Sequence, residues 1–331
     1  MIDVVIPCLN EAQYIEKNIQ SILDQSYRNF NLYVVDGGSE DGTTEIVRLY
    51  EKKDARVHLL QNPHKTTPFA LNIGIKEGNG EYVVIFGGHA VMDQNYLQKC
   101  IDCLSEKEEV ACVGGLIESK YLDENSKYIG AAMSSKVGVG NVTFRVGGAP
   151  RYVDTVAFGA YRKKVFDEIG FFDEQLTRNQ DDELNFRITR SGYKIYFDPE
   201  IKSEYFVRGT FKKLWRQYLQ YGYWKVFVNK KHKSFLSVRQ IVPPLFVAYV
   251  FAFFVLALLY DYIAIFYSSS LLIYSLILLV QSVKLAGANF YKVLFSFLIL
   301  HFSYGLGYIK GILDFFVLGK SINKKMENIT R

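Results

Sequence analysis

Three consecutive carboxylates, Asp181, Asp182 and Glu183, stand in the stretch Asn179-Gln-Asp-Asp-Glu-Leu-Asn-Phe-Arg187. Crowded carboxylates raise one another's pKa and can prepare one of them to take a proton, but acids also favour the first turn of a solvated helix. The residue types leave both roles open. A second acidic cluster, Asp36-Gly-Gly-Ser-Glu-Asp41-Gly-Thr43, closes an apolar run. Asp36 could simply form a turn before Gly37-Gly38, yet its place at a strand end favours ligand binding. A third run ends in Gly87-Gly88-His89. There an imidazole suits Mn2+, or a hydrogen bond inside a pocket. Cys100-x-x-Cys103 has neither a partner Cys pair nor a His at ligand spacing, so it reads as helix packing. The four cysteines fit a reducing compartment. No Gly-rich dinucleotide fingerprint follows the first strand and no P-loop is present, which argues against a nicotinamide enzyme or an ATPase.

These residues sit at the ends of alternating elements. Residues 2–7, 30–36, 57–60 and 81–86 are apolar strands. Helices are expected over 11–25, from Asp41 or Thr43 to 53, and over 68–76, with Ile15, Ile19, Ile22 and Leu23 on one face of the first. A further helix after Gln94 leads to a strand over 110–115. Such alternation predicts parallel βαβ units in an α/β domain, with ligands bound beyond the C-terminal strand ends. Residues 120–200 are less regular, with a glycine-rich stretch, a helix near 163–169 and another after the carboxylates.

The chain has 331 residues, a net charge of +5, 49% hydrophobic and 22% charged residues, which excludes a disordered or collagen-like polymer. That average hides a division. Residues 202–240 carry ten Lys or Arg, Arg208 among them, against the single acid Glu204, interleaved with aromatics. Residues 241–260 and 262–283 then lack any charge, and 293–309 form a weaker third apolar run. Runs of about 20 match the hydrocarbon core of a bilayer, and a basic belt beside them marks the cytoplasmic side, so a membrane is expected here and not nucleic acid. A third full span would carry the basic tail (Lys320, Lys324, Lys325, Arg331) outside, so 293–318 is expected to be re-entrant or interfacial, the alternative being a third span that breaks the positive-inside tendency. Gly307-x-x-x-Gly311 offers a helix-packing face. The expected division is a domain over 1–200, an amphipathic segment over 201–240, a membrane region over 241–319 and a tail over 320–331.

The ordered motifs resemble the family-two glycosyltransferases of GT-A fold, a Rossmann-like mixed sheet. They are Pro7 with Asn10-Glu11, Asp36 to Thr43, Asn72-x-Gly74, Gly80-Glu81-Tyr82 and Asp181-x-Glu183-Leu-x-x-Arg187. Asp154 to Tyr161 and the basic aromatic segment resemble the membrane-attached, succinoglycan-building branch. The resemblance implies a UDP-linked sugar donor whose base or ribose bonds Asp36, with Pro7, Asn10, Glu11, Lys65 and Gly88 lining that side. It implies Asp181 as the base of an inverting displacement. Asp154, Asp182, Glu183, Arg187, Gln217 and Trp224 would face the acceptor or the diphosphate. The family's metal-binding Asp-any-Asp position reads Gly87-Gly88-His89, so His89 is the one ligand left there for a divalent Mn or Mg. Lys65, Arg151, Arg216 or His232 could supply charge instead. Trp224 would stack on acceptor sugar or lie at the headgroups. The implied activity is transfer of a hexose to a hydroxyl of a polyprenyl-diphosphate-linked saccharide in exopolysaccharide assembly, at the cytoplasmic face of the inner membrane. A non-catalytic or metal-independent relative is the alternative.

Overall fold

The computed structural model describes residues 1–207, 209–234 and 238–320; Arg208 and the tail beyond Lys320 lie outside the described residues. The elements run β1 (Ile2–Cys8), α1 (Ile15–Leu23), β2 (Phe30–Asp36), α2 (Thr43–Lys53), β3 (Val57–Gln61), α3 (Thr67–Glu77), β4 (Tyr82–Ile85), β5 (Ala90–Met92), α4 (Tyr96–Glu106) and β6 (Val110–Lys120). They continue with α5 (Glu124–Met133), α6 (Lys136–Val139), α7 (Thr143–Val146), β7 (Arg151–Val153), β8 (Ala160–Arg162), α8 (Lys164–Ile169), α9 (Gln180–Arg190) and β9 (Lys194–Phe206). Four long helices follow, α10 (Phe211–His232), α11 (Val242–Ala257), α12 (Asp261–Ala286) and α13 (Phe290–Ile312).

The chain divides into two compact units, residues 1–118 with 142–206, and residues 119–141 with the helices after 207. The first unit holds a mixed sheet ordered β3-β2-β1-β4-β8-β6-β9-β5, with β7 beside β9. The expected parallel units are there in β3, β2, β1 and β4. From β4 onward the pairing turns antiparallel, because β8 inserts between β4 and β6. β1 is buried along nearly its whole length, as a strand covered on both faces should be. On α1, Ile15, Asn18, Ile19 and Ile22 form the buried stripe. Two of the sequence motifs prove to be packing devices. A side chain on Gly74 would stand 2.4 Å from Val5, so glycine lets α3 lie directly on β1. Gly78 and Gly80 leave room for the buried Asp3, whose carboxylate accepts from the Gly80 N–H at 2.5 Å.

All four cysteines are reduced and buried in this unit. Burial pushes the Cys103 thiol up to about 11 and moves Cys100 and Cys112 well above the usual range. Cys100 and Cys103 both face the core from α4.

In the second unit α10 and α13 pack backbone to backbone. A Cβ on Gly307 would meet the Leu219 carbonyl at 2.0 Å, and one on Gly222 would meet the Tyr304 carbonyl at 2.1 Å. Gly311 approaches Tyr223 and Val226 in the same way, so the Gly307-x-x-x-Gly311 face is a packing seam inside the chain. α5 and α6 also lie against α13, with His301 Nε2 2.7 Å from the Val137 carbonyl. Residues 119–141, placed by sequence in the soluble domain, therefore belong with the helices.

α12 has 26 residues, about 39 Å at 1.5 Å per residue. Tyr262, Ile265, Leu272, Val280 and other large apolar side chains on it are 48–70% exposed. Among the described residues one helical stretch, Asp261–Val317, is long and apolar enough to cross a membrane, and its most apolar window (mean hydropathy 2.2) is only 6% buried. A core helix would be covered; this one is not. The first expected span, by contrast, yields only the 16 residues of α11, because Pro243 and Pro244 open it and the helix stops before Tyr260.

Candidate active site

The loops after β1 and β2 are tied together by hydroxyls. Cys8 pairs with Asp36 in the parallel register, so both loops leave the sheet at the same level. Ser39 Oγ accepts from the Asn10 N–H at 2.8 Å and donates to Asp36 at 2.5 Å. Thr44 donates to the other Asp36 oxygen at 2.8 Å, and Asp36 as a whole is 1% exposed. Thr43 accepts from the Glu11 N–H at 2.8 Å and donates to Asp41 at 2.6 Å. Burial pushes the Asp41 carboxyl up, but the Thr43 hydroxyl and the N–H groups of Ala12 and Thr43 outweigh it and hold the pKa below the ordinary value. Asn10 takes φ +56°, a left-handed conformation that Asn tolerates, and its side chain accepts from the Glu40 N–H at 2.9 Å. Lys65, also at positive φ, sits beside this turn, with its Cα 3.4 Å from where a Gly37 side chain would begin.

The loop after β4 closes onto the same place. A Cβ on Gly88 would lie 3.3 Å from Glu11 Cγ and 3.6 Å from the Pro7 carbonyl. His89 Nδ1 is 3.2 Å from Glu11 Oε1. Beneath the loop Asn18, fully buried, donates to the carbonyls of Gly87 (2.8 Å) and Ala90 (2.7 Å). Pro7, Asn10, Glu11, Asp36, Lys65, Gly88 and His89 are thus brought together.

The position of the expected first aspartate is closed. A side chain started from Gly87 would stand 2.9 Å from the Phe158 ring, which lies 4.7 Å from Phe86 and is set by a backbone at φ +53°. Tyr96 holds that backbone by donating to the Phe158 carbonyl. Among the described residues no group of three or more His, Cys, Asp or Glu could hold a metal ion. What remains is the Glu11–His89 pair, two donors already facing each other. The protein's own residues do not fit the divalent cation that the family resemblance implies.

At the start of α9 the three acids part company. Asp181 is exposed and Asp182 partly so, whereas Glu183 is fully buried. Asn179, at φ +59°, sets the turn. Asp181 lies close enough to Tyr161 on β8 to help raise its hydroxyl pKa, behind burial and the Cys112 thiol. Glu183 accepts from Arg187 at 2.9–3.1 Å, and Arg187 also donates to the carbonyls of Ile169 (2.6 Å), Gly170 (3.0 Å) and Phe171 (2.7 Å). Glu183 and Arg187 therefore form a structural clasp, a correction to their expected acceptor-side role: one is sealed and the other is fully bonded. Asp154 is exposed, next to Thr155, which accepts from Asn185 of α9 at 3.0 Å. Asn72, within the Asn72-x-Gly74 motif, pins the Phe172 backbone by bonds of 2.9 and 3.0 Å.

Gln217 and Trp224 are a second correction. Trp224 is 0% exposed, packed edge-on to Tyr223 and Phe227, and Gln217 is 4% exposed and donates to the Tyr221 hydroxyl at 2.8 Å. Neither stacks on sugar nor reaches a headgroup; the exposed tryptophan of α10 is Trp215, at 38%. Asn18 and Phe158 are the site residues that sequence reasoning missed. Asn18 had a signal, one amide in an otherwise isoleucine stripe, and Phe158 had only its place in the Asp154 to Tyr161 stretch.

A sheet of this order with its loops gathered at the ends of β1, β2 and β4 defines a glycosyltransferase fold of GT-A type. The family model of glycosyl transferase family 2 matches residues 3–170, and the chain belongs to that family and is a glycosyltransferase. It is 30% identical over 70% of its length to a dolichyl N-acetyl-alpha-D-glucosaminyl phosphate 3-beta-D-2,3-diacetamido-2,3-dideoxy-beta-D-glucuronosyltransferase of Methanococcus voltae, covering 74% of that protein. It is 29% identical to the succinoglycan biosynthesis protein ExoA of Rhizobium meliloti, over 72% of this chain and 73% of the other. In fold it is similar to the mannosyltransferase PcManGT of Pyrobaculum calidifontis in complex with GDP-Man and Mn2+, with a TM-score of 0.61 and 17% identity over 92% of this chain and 86% of that one.

Proposed function

We propose that this chain moves a hexose, with inversion, from a UDP-linked donor to a hydroxyl of a polyprenyl-diphosphate-linked saccharide, at the cytoplasmic face of the plasma membrane. The observation that carries the reading is the exposure of Asp181 beside a sealed Glu183: of the three acids, the chain leaves this one most open to solvent. In the reaction Asp181 takes the proton of the acceptor hydroxyl as its oxygen bonds the anomeric carbon. The bond from that carbon to the diphosphate breaks, and the diphosphate leaves with the electron pair. A single displacement inverts the centre. The pocket formed by Pro7, Asn10, Glu11 and Gly88 takes the nucleotide, with Lys65 at its edge. Asp36 reaches the base or ribose by exchanging its Ser39 bond for one to the ligand. Asp154 and Asp182 lie on the acceptor side. The lipid-linked acceptor rests on the exposed apolar face of α12 and on the dolichyl and succinoglycan names of the relatives. The cytoplasmic side rests on the basic residues of α10.

The test is Asp181→Asn in the detergent-purified chain. Transfer should disappear while UDP affinity stays within about twofold, and equal loss of both would reject the base. The anomeric configuration of the product, read by NMR, checks inversion.

A further inference from the structure

The geometry points to Arg145, acting beside His89, as the protein's own replacement for a divalent cation on the donor's diphosphate. The inference rests on the nucleotide-sugar reading above and deepens it. A departing diphosphate needs positive charge or strong donors at its oxygens. Here the Phe158 ring fills the space into which an acidic side chain at position 87 would project. The charge must then come from elsewhere in the unit.

Arg145 is placed for it. Its guanidinium lies 5.0 Å from the Tyr205 ring, and that ring lies 4.9 Å from His89. His89 in turn meets Glu11 at 3.2 Å, so the Tyr205 ring links Arg145 to the His89–Glu11 pair. Arg145 Nη1 is buried and has no hydrogen-bond partner among the described residues. A buried donor left unsatisfied is rare and calls for an explanation, of which a bound anion is one. A guanidinium also matches phosphate oxygens with paired N–H groups. The α7 turn that carries it is flanked by Gly140, Gly147 and Gly148 at φ +69°, +76° and +141°, conformations that other residues resist. The other cations are less suited. Arg151 donates to Thr143 at 3.3 Å and serves the α7 turn itself, and Lys65 is exposed beside Gly37.

The experiment is calorimetric titration of the full chain in detergent with UDP and with uridine, each in EDTA and in Mn2+. Uridine has the base and ribose but no diphosphate. The native chain should bind UDP in EDTA within about twofold of its affinity in Mn2+. Arg145→Ala should weaken UDP at least tenfold and leave uridine within twofold, and Arg145→Lys should recover part of the loss. The Mn2+ EPR spectrum recorded with UDP alone should not change when the protein is added. Tightening of UDP by tenfold or more in Mn2+ would overturn the assignment. So would equal weakening of UDP and uridine by Arg145→Ala, which marks a structural role. Binding of neither ligand under any condition would reject the donor reading itself, and the diphosphate assignment with it.

Discussion

The loop after β2 and the turn before α9 are both rich in acids, and the fold treats them in opposite ways. After β2, Asp36 and Asp41 are wrapped by Ser39, Thr43 and Thr44, and the carboxylates organise the loop that bears them. Before α9, one acid is buried in a clasp with Arg187 and another is left in solvent. A carboxylate bonded by several donors is held in place, which suits recognition. One at an open helix start can exchange protons with what approaches it. The difference lies in the neighbours, not in the acids.

That contrast can be broken in graded steps. Asp181→Asn should cost about 10²- to 10⁴-fold in turnover, the usual scale for a general base. Arg187→Met leaves Glu183 buried without its partner and should destabilise the domain by about 3–5 kcal/mol, seen as a lower denaturation midpoint. If the clasp mattered to the acceptor instead, KM would move and stability would not. Asp36→Ala removes charge-assisted bonds and should weaken UDP by about 10- to 100-fold, with a smaller loss for Asp36→Asn. Unchanged affinity would reduce Asp36 to a turn former.

The smallest effect lies outside both loops, in the half-exposed Asp54–Arg56 pair at 2.7 Å. Hydrogen bonds from Arg56 hold the Asp54 carboxyl at about 2. Because that value lies below the unfolded one, its contribution is complete above about pH 4 and fades as pH falls through 2. Asp54→Asn should cost under about 1 kcal/mol at neutral pH, and nothing further in acid.

The parallel half of the sheet was legible because β1 to β4 are apolar runs separated by amphipathic helices and glycine turns. The antiparallel half was not, since β8 is three residues long and β9 carries Asp198-Pro199-Glu200 in its middle. At the ends of β1, β2 and β4 the motif residues Pro7, Asn10, Glu11, Asp36 and Gly88 lie together. On α9 the spacing of Glu183 and Arg187, one helical turn, equally described a clasp and a ligand pair, and only burial decides. Trp224 misled because α10 has aromatics on every side, and the face that packs on α13 is chosen by glycines on both helices.

The four buried thiols have a practical consequence. All four are covered, and burial holds the protons of Cys100, Cys103 and Cys112, so a maleimide added to the native chain should find almost nothing to alkylate. Cys8 ends the first strand, Cys112 lies in a central one, and Cys100 and Cys103 line the inner face of α4. The rate at which each becomes alkylated is therefore a clock for the opening of its own part of the sheet, readable by mass spectrometry without introducing any label site.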